Sequence, residues 1–537
     1  MKRNFTLAVC RGVTVIGALC CAITFAYQRS DADRAFQQAR DLFNQHNWDK
    51  AAIAAGKALA ADPNMGDAEI LMGLIATVQS RFGDAEKHFL KGVALEPENH
   101  QAHAYLGSTY LQENKVPEAT RAFKRALELN PEDAAANYNL GVIALGKGSA
   151  TAALQRFQTV LHSNASDVPA LMGVLASELI LTRTADARRT VEQLQGLLQD
   201  GDPRLLQVAA LLAEHGDAAG AIPILERVRK APPQSWNVNY NLAVAYFQTG
   251  EYDRAAEVLR AFTDAKGKAE AFDLLGAIEE KRGRPDVAEH AFEAAVAREP
   301  SNEDYRFDYG NSLVQHGKFS SAVTAFRAAI ADMPRSWKLR IGLGSAHYLL
   351  SDYENAARDL LEAVKLKPDS TTGWSLLGEA YDSASGLQRE IETAFASYLE
   401  SAPNDAGAYY HYGAILYQRA QADGRHDYRQ AMQNVNQALR LDPNLAEAHF
   451  ELGLIALAEG KTEQGIAALQ KAVDLEPGLA TAHYRLGLAY RRAGNETRAQ
   501  EELSRFRALK EGAHQRDRVL QSLAAISTSK PRSGEQP

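Results

Sequence analysis

The amino-acid sequence predicts an all-α solenoid of stacked helical hairpins, on three observations. Proline stands at positions 63, 97, 131, 233, 300, 334, 368, 403, 443 and 477, separated by 34 residues or by close multiples of that spacing. Small residues keep the same register: Gly73, Gly107, Gly276, Gly310, Gly344 and Gly453 lie 24 residues before a proline, and Ala51, Ala85, Ala119, Ala221, Ala288, Ala322, Ala356 and Ala431 lie 12 before one. A large apolar residue stands eight before it, as at Phe89, Phe123, Phe292, Phe326 and Leu360, with Phe395 in the same role. Ten of the 18 prolines sit on this comb, which random placement would not produce.

Each element of the hairpin follows from this register. Within a period, the fourth, seventh, eighth and eleventh residues share one face of a helix, so His103, Leu106, Gly107 and Tyr110 form one buried stripe. Glycine at the eighth position lowers helix propensity. Its use there predicts close approach of a second helix, with a small residue such as Ala119 facing it. Turns at Asn114 to Pro117, Gly250 to Asp253 and Gly283 to Pro285 separate the helices, and Pro285 suits a first helical turn. The comb proline then ends the second helix. One hairpin cannot bury both of its faces, so each borrows its core from its neighbours.

This pattern resembles the tetratricopeptide repeat, seen whole in Leu106, Gly107, Tyr110, Ala119, Phe123, Ala126 and Pro131. The resemblance implies a right-handed superhelical α-solenoid. Fourteen units are expected over residues 32–513, starting near 32, 66, 100, 134, 168, 202, 236, 269, 303, 337, 371, 406, 446 and 480. The unit at 168–201 is degenerate, with Leu175 in place of glycine and Gln199 in place of proline. The unit at 406 carries about six extra residues within 418–427, an insertion that marks either a functional face or a tolerated surface loop. Val519, Leu520, Leu523 and Ile526 predict a capping helix over 514–527, followed by a disordered tail at 528–537.

Composition narrows the function. The 537 residues are 46% hydrophobic and 23% charged, with 67 acidic against 59 basic residues and a formal charge of −8. Lys2, Arg3 and Arg11 lie at the N-terminus, so the body is more acidic still and has no bulk electrostatic attraction to nucleic acid. The apolar run from Gly12 to Tyr27 follows basic residues and falls short of the roughly 20 residues that span a bilayer. Residues 1–26 are expected to be a cleaved export signal or a retained membrane anchor, with 27–31 as a short linker. Either places the protein in the periplasm or cell envelope. Cys10, Cys20 and Cys21 are the only cysteines, so the body has no thiolate chemistry.

No catalytic, cofactor or metal site is expected. Gly460-Lys461-Thr462 lacks the glycine that a phosphate loop needs at position 455, which is Ile455, and it falls on an inter-helix turn. Gly342-Leu343-Gly344 has neither a preceding strand nor a third glycine. His100 and His103 lie one helical turn apart, but His103, His449 and His483 all hold the fourth repeat position and read as packing residues.

What remains is binding surface. The fifth, ninth and twelfth positions form a stripe that lines the concave groove in proteins of the resembled family. Its fifth position includes Tyr138, Tyr240, Phe307, Tyr410, Phe450 and Tyr484, a ladder of rings suited to an extended peptide or a helix. The alternative is that these rings fill the seams between neighbouring first helices. The lysine–asparagine pair with which some family members grip a C-terminal carboxylate is missing, since the pairs read Phe307/Asn311, Tyr138/Val142 and Tyr240/Val244. The sequence therefore predicts a non-enzymatic scaffold with a protein or peptide partner. The alternatives are the repeat arm of a separate catalytic subunit or a membrane-tethered assembly factor.

Overall fold

The computed structural model describes residues 31–230, 235–263, 267–424, 426–509 and 513–526, with side chains in the last segment from 519 onward. The expected signal or anchor at 1–26 and the tail at 528–537 lie outside the described residues. Among the described residues there is no strand, and no helix is long and apolar enough to cross a membrane. Helices pair as antiparallel hairpins from 31–44 with Trp48–Ala61 through Ala480–Arg492 with Glu496–Ala508. The chain divides into two compact units, Met1–Gln234 and Ser235–Pro537, where the proline comb alone had read one continuous array.

Many junctions between hairpins are built by residues in fixed relation to the comb proline. The proline follows the end of the second helix, and at six of the ten the residue two places on caps the next one, whereas Met65, Ser235, Leu445 and Leu479 make no side-chain cap. Asn99, Asp133, Asn302, Ser336, Ser370 and Asp405 each accept a backbone N–H from the first turn of the following helix. Four residues further, a side-chain N–H donates to the proline carbonyl: Asn137 to Pro131 at 2.9 Å, Trp374 to Pro368 at 2.8 Å and His449 to Pro443 at 3.0 Å, with His103, Arg306 and His483 doing the same. The proline lies just past the C-cap of the second helix, and this bond gives its carbonyl a partner.

Inside each hairpin the glycine meets a ring. A Cβ built on Gly73, Gly107, Gly141, Gly276 or Gly310 would fall less than 3 Å from Phe89, Phe123, Phe157, Phe292 or Phe326 respectively. The large apolar residue eight places before the proline is thus the glycine's main partner, rather than the alanine the sequence pointed to. Two rings are gripped from both sides. Phe157 lies against Gly141 of its own hairpin and Gly173 of the next, and Phe326 lies between Gly310 and Gly342. Gly342 and Gly344 of the discarded nucleotide motif are both such packing glycines, Gly344 meeting Leu360. The degenerate unit exchanges the two volumes. Leu175 is fully buried where glycine is usual, and the smaller Val191 stands where the ring is usual.

Inter-helix turns share one backbone device. The fifteenth residue adopts left-handed φ in most hairpins, among them Ser80, Asn114, Gly250, Gly283, Gly317, Gly460 and Gly494. The next N–H then reaches back to the first helix, as Lys115 does to Tyr110 O at 2.7 Å and Lys318 to Leu313 O at 2.8 Å. Thr182 holds the same position in the degenerate unit with φ 55°, where a β-branched residue is strained. Replacing Thr182 with glycine is expected to stabilise the first unit by about 1 kcal/mol. Denaturant titration of both proteins checks this, and an unchanged or lower midpoint for Thr182→Gly would contradict the strain.

Candidate functional site

The six rings expected to line a groove are placed mainly in packing seams. Phe307 is 0% exposed, lies 6.0 Å from Phe326 and is covered by Lys338 of the next hairpin, whose ammonium sits 4.6 Å from the ring centroid. Tyr240 is 9% exposed and stacks at a tilt on Trp236, 5.1 Å away. Tyr138 is half-buried edge-on to Phe157, and Tyr410 and Phe450 are half-buried against the cores of their own repeats. Tyr484, 38% exposed, leans on Phe506 at 5.1 Å. Phe307 and Tyr240 therefore are not open contact surface. At Phe307 the fifth position falls where one first helix meets the next, and the following hairpin closes over it.

The surface that does receive a segment lies in the second unit. Helix Ala513–Ile526 packs against the first helices Glu303–Gln315 and Trp337–Leu349. Val519 and Leu523 are fully buried in the core that those repeats share, and Leu520 and Ile526 are partly buried against it. Gln315 Nε2 donates to the carbonyl of Leu520 at 3.1 Å across 205 residues of chain. The expected cap on the last repeat is corrected accordingly. Helix and apolar stripe are as expected, but the stripe is buried on repeats far upstream.

The insertion builds a second, polar feature in the same unit. Of the extra residues, four lengthen the first helix, which runs over Ala406–Ala422 instead of the usual 13 residues, and the rest form the turn to Arg429–Leu441. A cleft of about 930 Å³ opens beside it, lined by Tyr381, Asp382, Glu392, Gln418, Arg419 and Arg429 among others. Glu392 is bound on both oxygens, by the Tyr381 hydroxyl at 2.8 Å and by Arg419 at 2.6 Å, while Gln418 donates to Asp382 at 2.7 Å. Burial and the neighbouring Glu392 carboxylate push the Tyr381 hydroxyl above its ordinary range, and burial raises Asp382 as well. At the exposed rim, hydrogen bonds from Arg429 hold Asp427 down at about 2.

Glu451, on helix Ala446–Ala458, is buried with Oε1 lacking a hydrogen-bond partner. Burial, reinforced by repulsion from Asp382 and only partly offset by Arg485, raises its carboxyl to about 8. Repeat alignment gives no warning of this residue, because the sixth position is mixed: Leu71, Leu274, Gly342, Glu451 and Arg485.

The histidines and the glycine turn singled out in the sequence are engaged within the repeat framework. His100 Nδ1 lies 2.6 Å from Asp133 while His103 Nε2 donates to Pro97 O, so the two imidazoles do not converge. Among the described residues no group of histidine, cysteine and carboxylate side chains is arranged to hold a metal ion. Gly460-Lys461-Thr462 is the turn and first residue of a repeat's second helix, with Gly460 in left-handed φ.

A carboxyl whose folded pKa is raised stabilises the fold fully below its unfolded value of 4.5 and loses that contribution as pH rises through about 8. Glu451→Gln is therefore expected to unfold like the parent near pH 4 and to be more stable than it by at least about 1 kcal/mol at pH 9. Denaturant midpoints at the two pH values test this, and a gain of equal size at both would contradict the buried charge.

The chain was compared with known families and proteins. The family model described as tetratricopeptide repeat matches residues 36–100, 70–120, 106–168, 275–315, 307–371 and 350–406. Two further models of that description match 212–278 and 481–509, and one described as TPR repeat matches 453–494. The BBSome complex member BBS4 of Bos taurus is 23% identical over 248 residues, covering 44% of this chain and 47% of that protein. The protein O-mannosyl-transferase TMTC1 of Homo sapiens is 24% identical over 214 residues, covering 38% of this chain and 24% of that protein. The chain thus spans about half the length of the first relative and about a quarter of the second. The solved structure of yeast Tom70 is 14% identical, with a TM-score of 0.36 over 86% of this chain and 95% of that one. Matched windows recur through both units in the register that the prolines mark, and the chain belongs to the tetratricopeptide repeat family.

Proposed function

We propose that this chain is a non-enzymatic scaffold for protein–protein interaction, holding a helical or extended segment of a protein partner on the first-helix face of its second unit. The observation that carries this reading is that helices Glu303–Gln315 and Trp337–Leu349 already take a helix on that face, with two side chains fully buried. The acidic composition argues against nucleic acid as the partner. BBS4 is named as a member of a complex, which agrees with a scaffolding role. The basic start and apolar run at residues 2–27 support an exported protein of the periplasm or cell envelope, with that run either cleaved or kept as an anchor.

A second reading is favoured by the match to a transferase. Here the chain acts as the repeat arm of a separate catalytic subunit, presenting substrate to an enzyme that it binds.

Photocrosslinking in cells from a probe at Gln315, with Lys365 on an outer helix as control, tests the scaffold. Capture of one predominant protein from Gln315 and not from Lys365 is expected. Equal capture from both positions, or none from Gln315, would count against it. A captured transferase would select the second reading.

A further inference from the structure

The structure points to helix Ala513–Ile526 as an exchangeable intramolecular ligand. We propose that it occupies the seat on helices Glu303–Gln315 and Trp337–Leu349 until an amphipathic helix of a partner, with apolar residues at the same four-residue spacing, displaces it. This inference rests on the scaffold reading and names both the partner's chemistry and its regulation.

Three features carry it. The contact joins elements 205 residues apart in the chain, so it is a tertiary contact and not one made by local sequence. The buried groups are Val519 and Leu523, one helical turn apart, flanked by the partly buried Leu520 and Ile526. Any helix with that stripe offers the same apolar face. The directional contact, Gln315 to the carbonyl of Leu520, reads backbone rather than side chain. A foreign helix therefore satisfies it equally well.

Tethering explains how so small a contact holds. A segment on its own chain meets its seat at an effective concentration on the order of mM, so weak intrinsic affinity suffices to keep it in place. A partner at micromolar concentration must then bind roughly a thousand-fold better than the resident helix to replace it, unless the resident is loosened. The seat rejects weak ligands and opens to a strong one. The apparent affinity of any incoming helix falls by the fraction of molecules whose seat is vacant.

The test uses the full chain and a fluorescent peptide of sequence AHQRDRVLQSLAAI, the resident helix itself. Anisotropy titration should show the V519D/L523D double variant binding the peptide at least ten-fold more tightly than the parent. Adding Gln315→Ala should weaken that binding several-fold. Circular dichroism verifies that the variant keeps its repeats. Should the variant misfold, hydrogen exchange on the parent with excess peptide replaces it. Faster exchange over 513–526, with 303–315 and 337–349 still protected, is the expected result. A folded variant that binds no better than the parent, or a resident helix that stays protected at saturating peptide, overturns the proposal. Peptide gained by the variant, together with no cellular partner crosslinked at Gln315, would leave the exchangeable seat standing and remove the scaffold reading. A cellular partner captured equally by parent and variant would keep the scaffold and remove the exchange.

Discussion

A phenylalanine ring pressed onto a glycine backbone is the contact on which this architecture depends. Where Phe326 fits between Gly310 and Gly342, a methyl group on either glycine would overlap the ring. The ring therefore sets how closely three helices approach, and it does so with atoms from two hairpins. Interiors packed at crystal-like density transmit such a constraint from layer to layer. This is why a 34-residue unit has no complete core of its own, and why a capping residue two places after the proline and a side-chain N–H six places after it recur at many of the junctions. They hold the next hairpin at the angle the ring requires.

The same constraint decides where function can reside. Aromatic side chains at the fifth position look, one repeat at a time, like an exposed ladder. Stacking the repeats closes Phe307 under Lys338, and Tyr240 is buried beside Trp236 of its own helix. What the second unit offers instead is an apolar seat edged by Gln315, covered by helix Ala513–Ile526, and, beside the insertion, a polar cleft around the Tyr381–Glu392–Arg419 network. Such a surface suits an amphipathic helix better than a run of stacked rings does, because it offers both apolar area and a polar contact that fixes register.

Much of the fold was legible because its signals are local and repeated. A proline, a glycine and a large apolar residue in fixed register need no knowledge of distant contacts, and the degenerate unit shows itself in Leu175 and Gln199, although the matching Val191 emerges only from the packing. Legibility ended where burial is decided by something not adjacent in sequence. The stripe of Val519 and Leu523 can be read from the chain, but its resting place against repeats some two hundred residues upstream cannot. The burial of Phe307 and Tyr240 is illegible for a related reason: helical periodicity assigns them an angle, and only the surrounding packing determines whether that angle faces solvent. Glu451 left no trace, since nothing in its repeat position excludes leucine or arginine. The division at Gln234–Ser235 interrupts an array whose proline spacing continues through it.

The most direct measurement is hydrogen exchange on Phe326→Ala, a truncation that should cost about 3–5 kcal/mol. If one ring joins two hairpins, protection falls together in helices Glu303–Gln315, Phe319–Asp332 and Trp337–Leu349, while Ala446–Ala458 keeps its own. Loss confined to Glu303–Asp332, with Trp337–Leu349 as protected as before, would show that each hairpin stands alone and would contradict the account.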